Sequence, residues 1–272
     1  MKDGIARRKP AVAGQFYEGT RSRLEAQVAA YMRPDARREK VIGMVSPHAG
    51  LMYSGAVAGE LYSRVEPPET FVIIGPNHTG LGAPLAVMSF GQWEVPTGAL
   101  DIDSRLAELL LECVDSLEED EQAHHLEHSL EVQLPFIVHI APGARIVPVA
   151  MGDTRLDTCR ALGQGIGEAV RELGYSVVIV ASSDMSHFLP DEETRQLDRM
   201  AIDQVLALSP EGVHGVVREK RISMCGFGPA TALLYAAEVL GATSAELVGY
   251  RTSGDVSGDR ARVVGYAGIL IR

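Results

Sequence analysis

Positive charge is in short supply in this 272-residue chain: 25 Lys and Arg against 36 Asp and Glu leave a formal net charge of −11. Nucleic acids and anionic membranes are held by clustered positive charge, so neither is an expected partner. Cysteine is scarce as well. Cys113, Cys159 and Cys225 are odd in number and far apart, which excludes a disulfide framework and any CxxC redox or zinc motif; they read as reduced thiols of a cytoplasmic protein. No apolar run approaches the ~20 residues of a membrane span, Val177–Ala181 being typical of those present. The opening Met1–Tyr17 carries Arg7, Arg8 and Lys9 but no apolar stretch long enough for a signal peptide, so the chain is expected to stay unexported. Two catalytic signatures are also missing: G-x-x-x-x-G-K-[ST] for phosphate and G-x-S-x-G for a hydrolase serine. GQGIG and GFGPAT lack dinucleotide-binding spacing, so a nicotinamide cofactor is not expected.

What is present is a set of short apolar runs rich in β-branched residues and bounded by Gly, Pro or polar residues. They predict strands over Val41–Ser46, Phe71–Gly75, Leu85–Ser89, Arg145–Ala150, Ser176–Ser182 and Ala261–Ile271. These runs have no polar face, as expected of a sheet covered on both sides. Helical periodicity fills the intervals at Thr20–Met32, Ser54–Val65, Ser104–Val114, Glu127–Phe136, Leu156–Leu173, Thr194–Leu208 and Gly228–Leu240. The alternation predicts an α/β fold, one layered domain over residues 1–272 with a mostly parallel central sheet flanked by helices. The acidic cluster Glu118–Glu121 reads as a solvated face or loop.

Three of the predicted strands are each followed within a few residues by a histidine, in VIGMVSPHAG, FVIIGPNHTG and SVVIVASSDMSHF. The carboxyl ends of parallel strands form the ligand crevice of an open α/β sheet, so His48, His78 and His187 are expected to converge. A lone histidine reads as a hydrogen-bonded structural residue; three at equivalent strand ends read as a site. Imidazole is the commonest ligand of first-row transition metals, and two histidines with one anionic ligand leave positions open for water or substrate. Cys225, in SMCGFGPAT, is the candidate third ligand, although its sequence fits a structural thiol equally well. A place near a helix N-terminus is expected to lower its pKa. Cys113, at helical spacing from Leu106, Leu109 and Leu110, reads as core, and Cys159 as structural. In SSDMSH, Asp184 is placed to orient His187 for acid or base work, or else to cap the turn that follows. A competing constellation is His124, Glu127 and His128 in HHLEH. On a single helix face this H-x-x-E-H pattern makes a zinc peptidase site, although Pro135 disturbs the helix one turn later.

The segments RKPAVAGQFY, SPHAGLMYSG, GPNHTG, WEVPTGALDID, EHSLEVQLPF, IVPVAMGD, ASSDMSHF and MCGFGPAT, in this order, resemble the Memo family, including its prokaryotic branch called AmmeMemoRadiSam system protein B. The resemblance runs from about residue 8 to the C-terminus. It implies a fold similar to the catalytic subunit of class III extradiol dioxygenases and a metal held by two histidines and a cysteine, which fall on His48, His78 and Cys225. Asp184, His187 and His128 match further crevice residues. A thiolate where the dioxygenases place a carboxylate makes copper as fitting as iron, with zinc behind both. The resemblance also implies a pathway link to AMMECR-type and radical-SAM proteins, and a small-molecule or peptide ligand. Four functions follow in this order: a metal-dependent redox enzyme with His187, aided by Asp184, moving protons; a non-catalytic iron or copper protein; a peptide-binding scaffold; and a zinc metallopeptidase.

Overall fold

The computed structural model describes residues 6–272. At its centre is a nine-stranded sheet. Gly43–Ser46, Val177–Ser182, Thr70–Pro76 and Arg145–Met151 lie side by side in that order, all parallel. Antiparallel strands close the flanks, with Val263–Ile271 against Gly43–Ser46 and Leu85–Val87 against Arg145–Met151. Val263–Ile271 pairs in turn with Ala245–Thr252 and with the short His187–Leu189, while Glu118–Glu119 adds to Leu85–Val87. A smaller sheet of Arg7–Arg8, Gln92–Val95 and Gly98–Asp101 stands apart.

The parallel strands are buried on both faces, and the period of two divides their side chains between two cores. Val45, Val72, Ile74, Val147, Ile179 and Ala181 point into one core, packed by the helices Ser104–Cys113, Leu156–Glu172, Asp191–Leu206, Pro210–Glu219 and Phe227–Val239. Met44, Phe71, Ile73, Ile146, Val178 and Val180 point into the other, packed by Arg21–Tyr31, Leu51–Ser63 and Leu134–Ile140. The expected α/β architecture is therefore present, with its central strands parallel and its edges antiparallel.

Two expectations fail locally. Glu127–Phe136 is not one helix: a 3₁₀ turn at Gln122–His124, a loop through Glu127 and His128, and a second 3₁₀ turn at Glu131–Gln133 precede the helix Leu134–Ile140. Pro135 sits in the first turn of that helix, where its missing N–H costs nothing, so the proline starts the helix and does not interrupt it. Cys113 is exposed, not core. It ends its helix, and Val114, four residues after buried Leu110, takes the inward position. Cys159 is buried, as expected. Glu118 and Glu119 are exposed on their edge strand, in keeping with a solvated face.

Candidate metal centre and cleft

The strand Gly43–Ser46 ends two residues before His48, Thr70–Pro76 ends two before His78, and Val177–Ser182 ends two before Asp184. Ser46 and Ser182 are in register, so the loops that follow start from the same edge of the sheet. His128 reaches this edge from the loop before Glu131–Gln133. One potential ligand atom from each of His48, His78 and His128 lies within 4.8 Å of the others. The three rings are in contact, His78 stacked on His128 at 4.6 Å between centroids and His48 edge-on to both at 5.4 and 5.5 Å.

The hydrogen bonds around His48 and His78 fix which nitrogen each ring presents. Ser182 Oγ donates its single proton to the Ser129 carbonyl (2.6 Å), so it accepts from Gln133 Nε2 (2.8 Å) and from His48 Nδ1 (2.9 Å). Gln133 is itself oriented, its Oε1 accepting from Tyr62 Oη and its Nε2 donating also to the Pro47 carbonyl. His48 therefore carries its proton on Nδ1 and presents the Nε2 lone pair. Glu127 does the same for His78: Oε1 accepts from His78 Nδ1 (2.9 Å) and Ser129 N (2.9 Å), and Oε2 from His78 N (2.5 Å). The same Oε1 lies 3.5 Å from His128 Nδ1. Hydroxyl and carboxylate partners on Nδ1 of His48 and His78 leave Nε2 as the nitrogen these two rings present, the arrangement that orients metal-binding histidines.

Burial shapes the protonation of these groups. Desolvation holds His48 well below the ordinary imidazole range, with the neighbouring His128 and His78 adding to the effect, and burial lowers His128 too. Both are neutral and ready to ligate. Burial pulls Glu127 upward, but hydrogen bonds from His78 and the Ser129 amide outweigh it and hold the carboxyl at about 2.

Cys225 lies beside His48, its Sγ 3.3 Å from His48 Nε2 and accepting from the Asp184 amide at 3.3 Å. It stands outside the three-histidine group but within reach of the nitrogen that His48 presents. Gly226 permits this approach, since a Cβ there would overlap the Ser182 carbonyl and Ser183. The thiol pKa is pushed up, not down, because burial and the nearby Asp184 charge overwhelm the start of the helix Phe227–Val239.

Asp184 does not orient His187. Its Oδ1 accepts from the backbone amides of His48 (2.8 Å) and Ala49 (3.2 Å), fixing the loop that carries His48; burial raises its pKa. His187 is held by Ser223: its amide donates to Ser223 Oγ and its Nδ1 to the Ser223 carbonyl, both at 2.8 Å. Nδ1 again carries a proton, which leaves Nε2 as the nitrogen available for other partners. His187, Asp184 and His128 line one cleft of about 540 Å³ with Phe16, Tyr53 and Arg262, a volume suited to a small organic molecule. Phe16 packs against His128 at 4.7 Å.

His124 does not join this site. It is fully buried against Trp93 at 5.6 Å, and burial, with Arg8 beside it, lowers its pKa to about 4. With no helix through residues 125–130, the H-x-x-E-H letters do not share a helix face, and the metallopeptidase geometry is absent. Glu127 is an orienting carboxylate within the histidine cluster. Ser182, Gln133 and Ser223 escaped the sequence reading because each is an unremarkable polar residue until the fold brings it to a ring nitrogen.

Comparison with known proteins agrees over almost the whole chain. Residues 8–270 match the family model described as Memo-like protein. A MEMO1 family protein of Archaeoglobus fulgidus is 44% identical, the alignment covering 97% of this chain and 99% of that one. A MEMO1 family protein of Methanothermobacter thermautotrophicus is 41% identical over 96% and 98%. Among solved structures, an uncharacterized protein of Escherichia coli K12 (JW3007) superposes with a TM-score of 0.57 at 13% identity, covering 86% of this chain and all of that one, which speaks to the fold alone. The chain belongs to the Memo-like protein family.

Proposed function

We propose that His48, His78 and His128 hold one first-row transition-metal ion, iron or copper before zinc, and that the chain is a metal-dependent redox enzyme acting on a small molecule in the adjoining cleft. The observation that carries this reading is the convergence of three buried or half-buried imidazoles, with Nδ1 of His48 and of His78 engaged by Ser182 and Glu127 and Cys225 Sγ 3.3 Å from His48 Nε2. Cys225 is the further donor to the same ion: metal binding removes a thiol proton outright, whatever the pKa of the free thiol. A bound iron or copper would supply electron transfer and polarisation of an attached oxygen. Within the protein, Asp184 fixes the His48 loop, Ser223 sets the His187 tautomer, and His187 Nε2 accepts or returns a proton at the cleft wall. The open cleft beside the histidines favours catalysis over simple metal carriage.

The test is anaerobic measurement of metal content and affinity for Fe(II), Cu(I) and Zn(II). Single His48→Ala, His78→Ala and His128→Ala substitutions should each weaken binding by about 100-fold or more, and Cys225→Ser should shift preference away from Cu(I). Binding in the parent that survives all three histidine substitutions would sink the site. Tight binding with no His187-dependent turnover in a screen of small oxidisable substrates would leave a metal carrier in place of an enzyme.

A further inference from the structure

The mouth of the cleft contains two features that folding does not account for. Phe188 is 61% exposed and has φ of +62°, the left-handed region that side chains other than Gly, Asn and Asp avoid. It is the irregular residue between His187, paired with Val264, and Leu189, paired with Val263, so the bulge turns its ring out of the sheet edge. Strained backbone with an exposed aromatic ring is retained where it serves a site.

Arg262 is the second feature. Among the described residues it is the only Lys or Arg lining the cleft, and its guanidinium lies over the Phe188 ring at 5.5 Å. The surrounding arginines are paired, Arg195 with Asp191 and Asp255, and Arg260 with the same two carboxylates. Among the described residues Arg262 has no carboxylate within 4.0 Å, although Asp259 also lines the cleft; an oxygen of Asp259 instead accepts from the Ala261 amide. With no carboxylate partner, the guanidinium beside the Phe188 ring has N–H groups to offer, and its fork matches a carboxylate in bidentate fashion. The net charge of −11 provides no general attraction for anions, so recognition of one must be local.

We propose that Arg262 and Phe188 form the specificity element of the cleft, selecting an organic acid whose carboxylate binds the Arg262 edge and whose apolar body lies along the Phe188 ring. The proposal shares with the reading above the use of this cleft as the substrate site, but it does not depend on the metal.

The experiment titrates the whole protein, stripped of metal by a chelator, with phenylacetate, cyclohexylacetate and their neutral amides, followed by ligand-observed NMR. Each acid should bind about tenfold more tightly than its amide. Arg262→Gln should abolish that difference, and Arg262→Lys should restore part of it. Phe188→Asn should weaken acids and amides alike while raising Tm by about 2 °C, because Asn tolerates the left-handed conformation; a purely structural Phe188 would not combine a gain in stability with a loss of binding. An acid advantage that survives Arg262→Gln, or equal binding of acid and amide in the parent, overturns the proposal. So does displacement of the acids by inorganic phosphate at equal concentration, since charge alone would then be read. If the parent binds no metal but the Arg262-dependent difference persists, the metal reading fails and this one stands; an acid advantage seen only with metal and lost in His48→Ala reverses that outcome.

Discussion

Glu127 acts on two of the three imidazoles at once, taking the Nδ1 hydrogen bond of His78 and lying 3.5 Å from Nδ1 of His128. It is fully buried and remains ionised because its partners outweigh the desolvation. Replacing it with Gln keeps the shape and an oxygen at the Oε1 place, but sets an NH2 against the His78 backbone N–H that Oε2 accepts and removes the negative charge beside both rings, so the His78 loop must shift. Glu127→Gln should therefore weaken metal binding by about 10- to 100-fold. Competition titration checks it, with circular dichroism to confirm the fold, and unchanged affinity would show that the rings are oriented without this carboxylate. Ser182→Ala tests the third ring. Loss of the hydroxyl removes the acceptor at His48 Nδ1 and leaves Gln133 Nε2 short of a partner, with an expected loss of about 1 to 3 kcal/mol in stability. Urea unfolding of the metal-free protein measures that loss directly.

At the scale of elements, one buried carboxylate gathers several groups of the N-terminal segment, which also pairs through Arg7–Arg8 with Gln92–Val95. Glu131 accepts from Arg8, from the amides of Ala11 and Val12, and from the Tyr17 hydroxyl, and Phe16 within that segment forms one wall of the cleft. The ion pair with Arg8 is buried on both sides. Glu131→Ala strands the guanidinium and should cost about 3 kcal/mol or more, a fall of roughly 6 to 12 °C in Tm, with Glu131→Gln milder. Thermal unfolding decides, and a variant as stable as the parent would show the anchor to be redundant. Neither this anchor nor the short Arg7–Arg8 strand was legible in the letters. The six strands predicted from apolar runs are all present because burial on both faces leaves a continuous apolar record, as in Thr70–Pro76. Ala245–Thr252 was missed because its residues are half-buried and mix Glu, Gly and Arg with apolar ones, and Pro210–Glu219 because its first turn reads as a loop. His48 and His78 were legible because they follow strand ends. His128 could be placed near the crevice but not among its ligands, since its loop enters from a distant part of the chain. Asp184 pointed the wrong way in the sequence reading because adjacency in SSDMSH says nothing about which backbone amides the fold brings to its oxygens.

The whole molecule buries several histidines in neutral form, and this sets how its stability responds to acid. Burial, with the positive charge of Arg8 close by, lowers His124 from 6.5 to about 4, and His48 and His128 are lowered as well. A histidine with a depressed folded-state pKa binds its proton more readily in the unfolded chain. Between pH 6.5 and 4 the unfolded state therefore holds more protons, and stability falls as pH falls across that window. For His124 alone the window corresponds to about 3 kcal/mol. His124→Leu removes the titrating group while keeping an apolar side chain against Trp93. Urea unfolding at pH 7 and at pH 4, each in chelator so that metal binding does not contribute, should show the parent losing about 3 kcal/mol more than the variant. Carboxylate titrations affect both proteins alike and cancel in the comparison. Equal losses would mean that His124 is protonated within the fold without penalty, and the acid sensitivity would then belong to the histidines of the cleft.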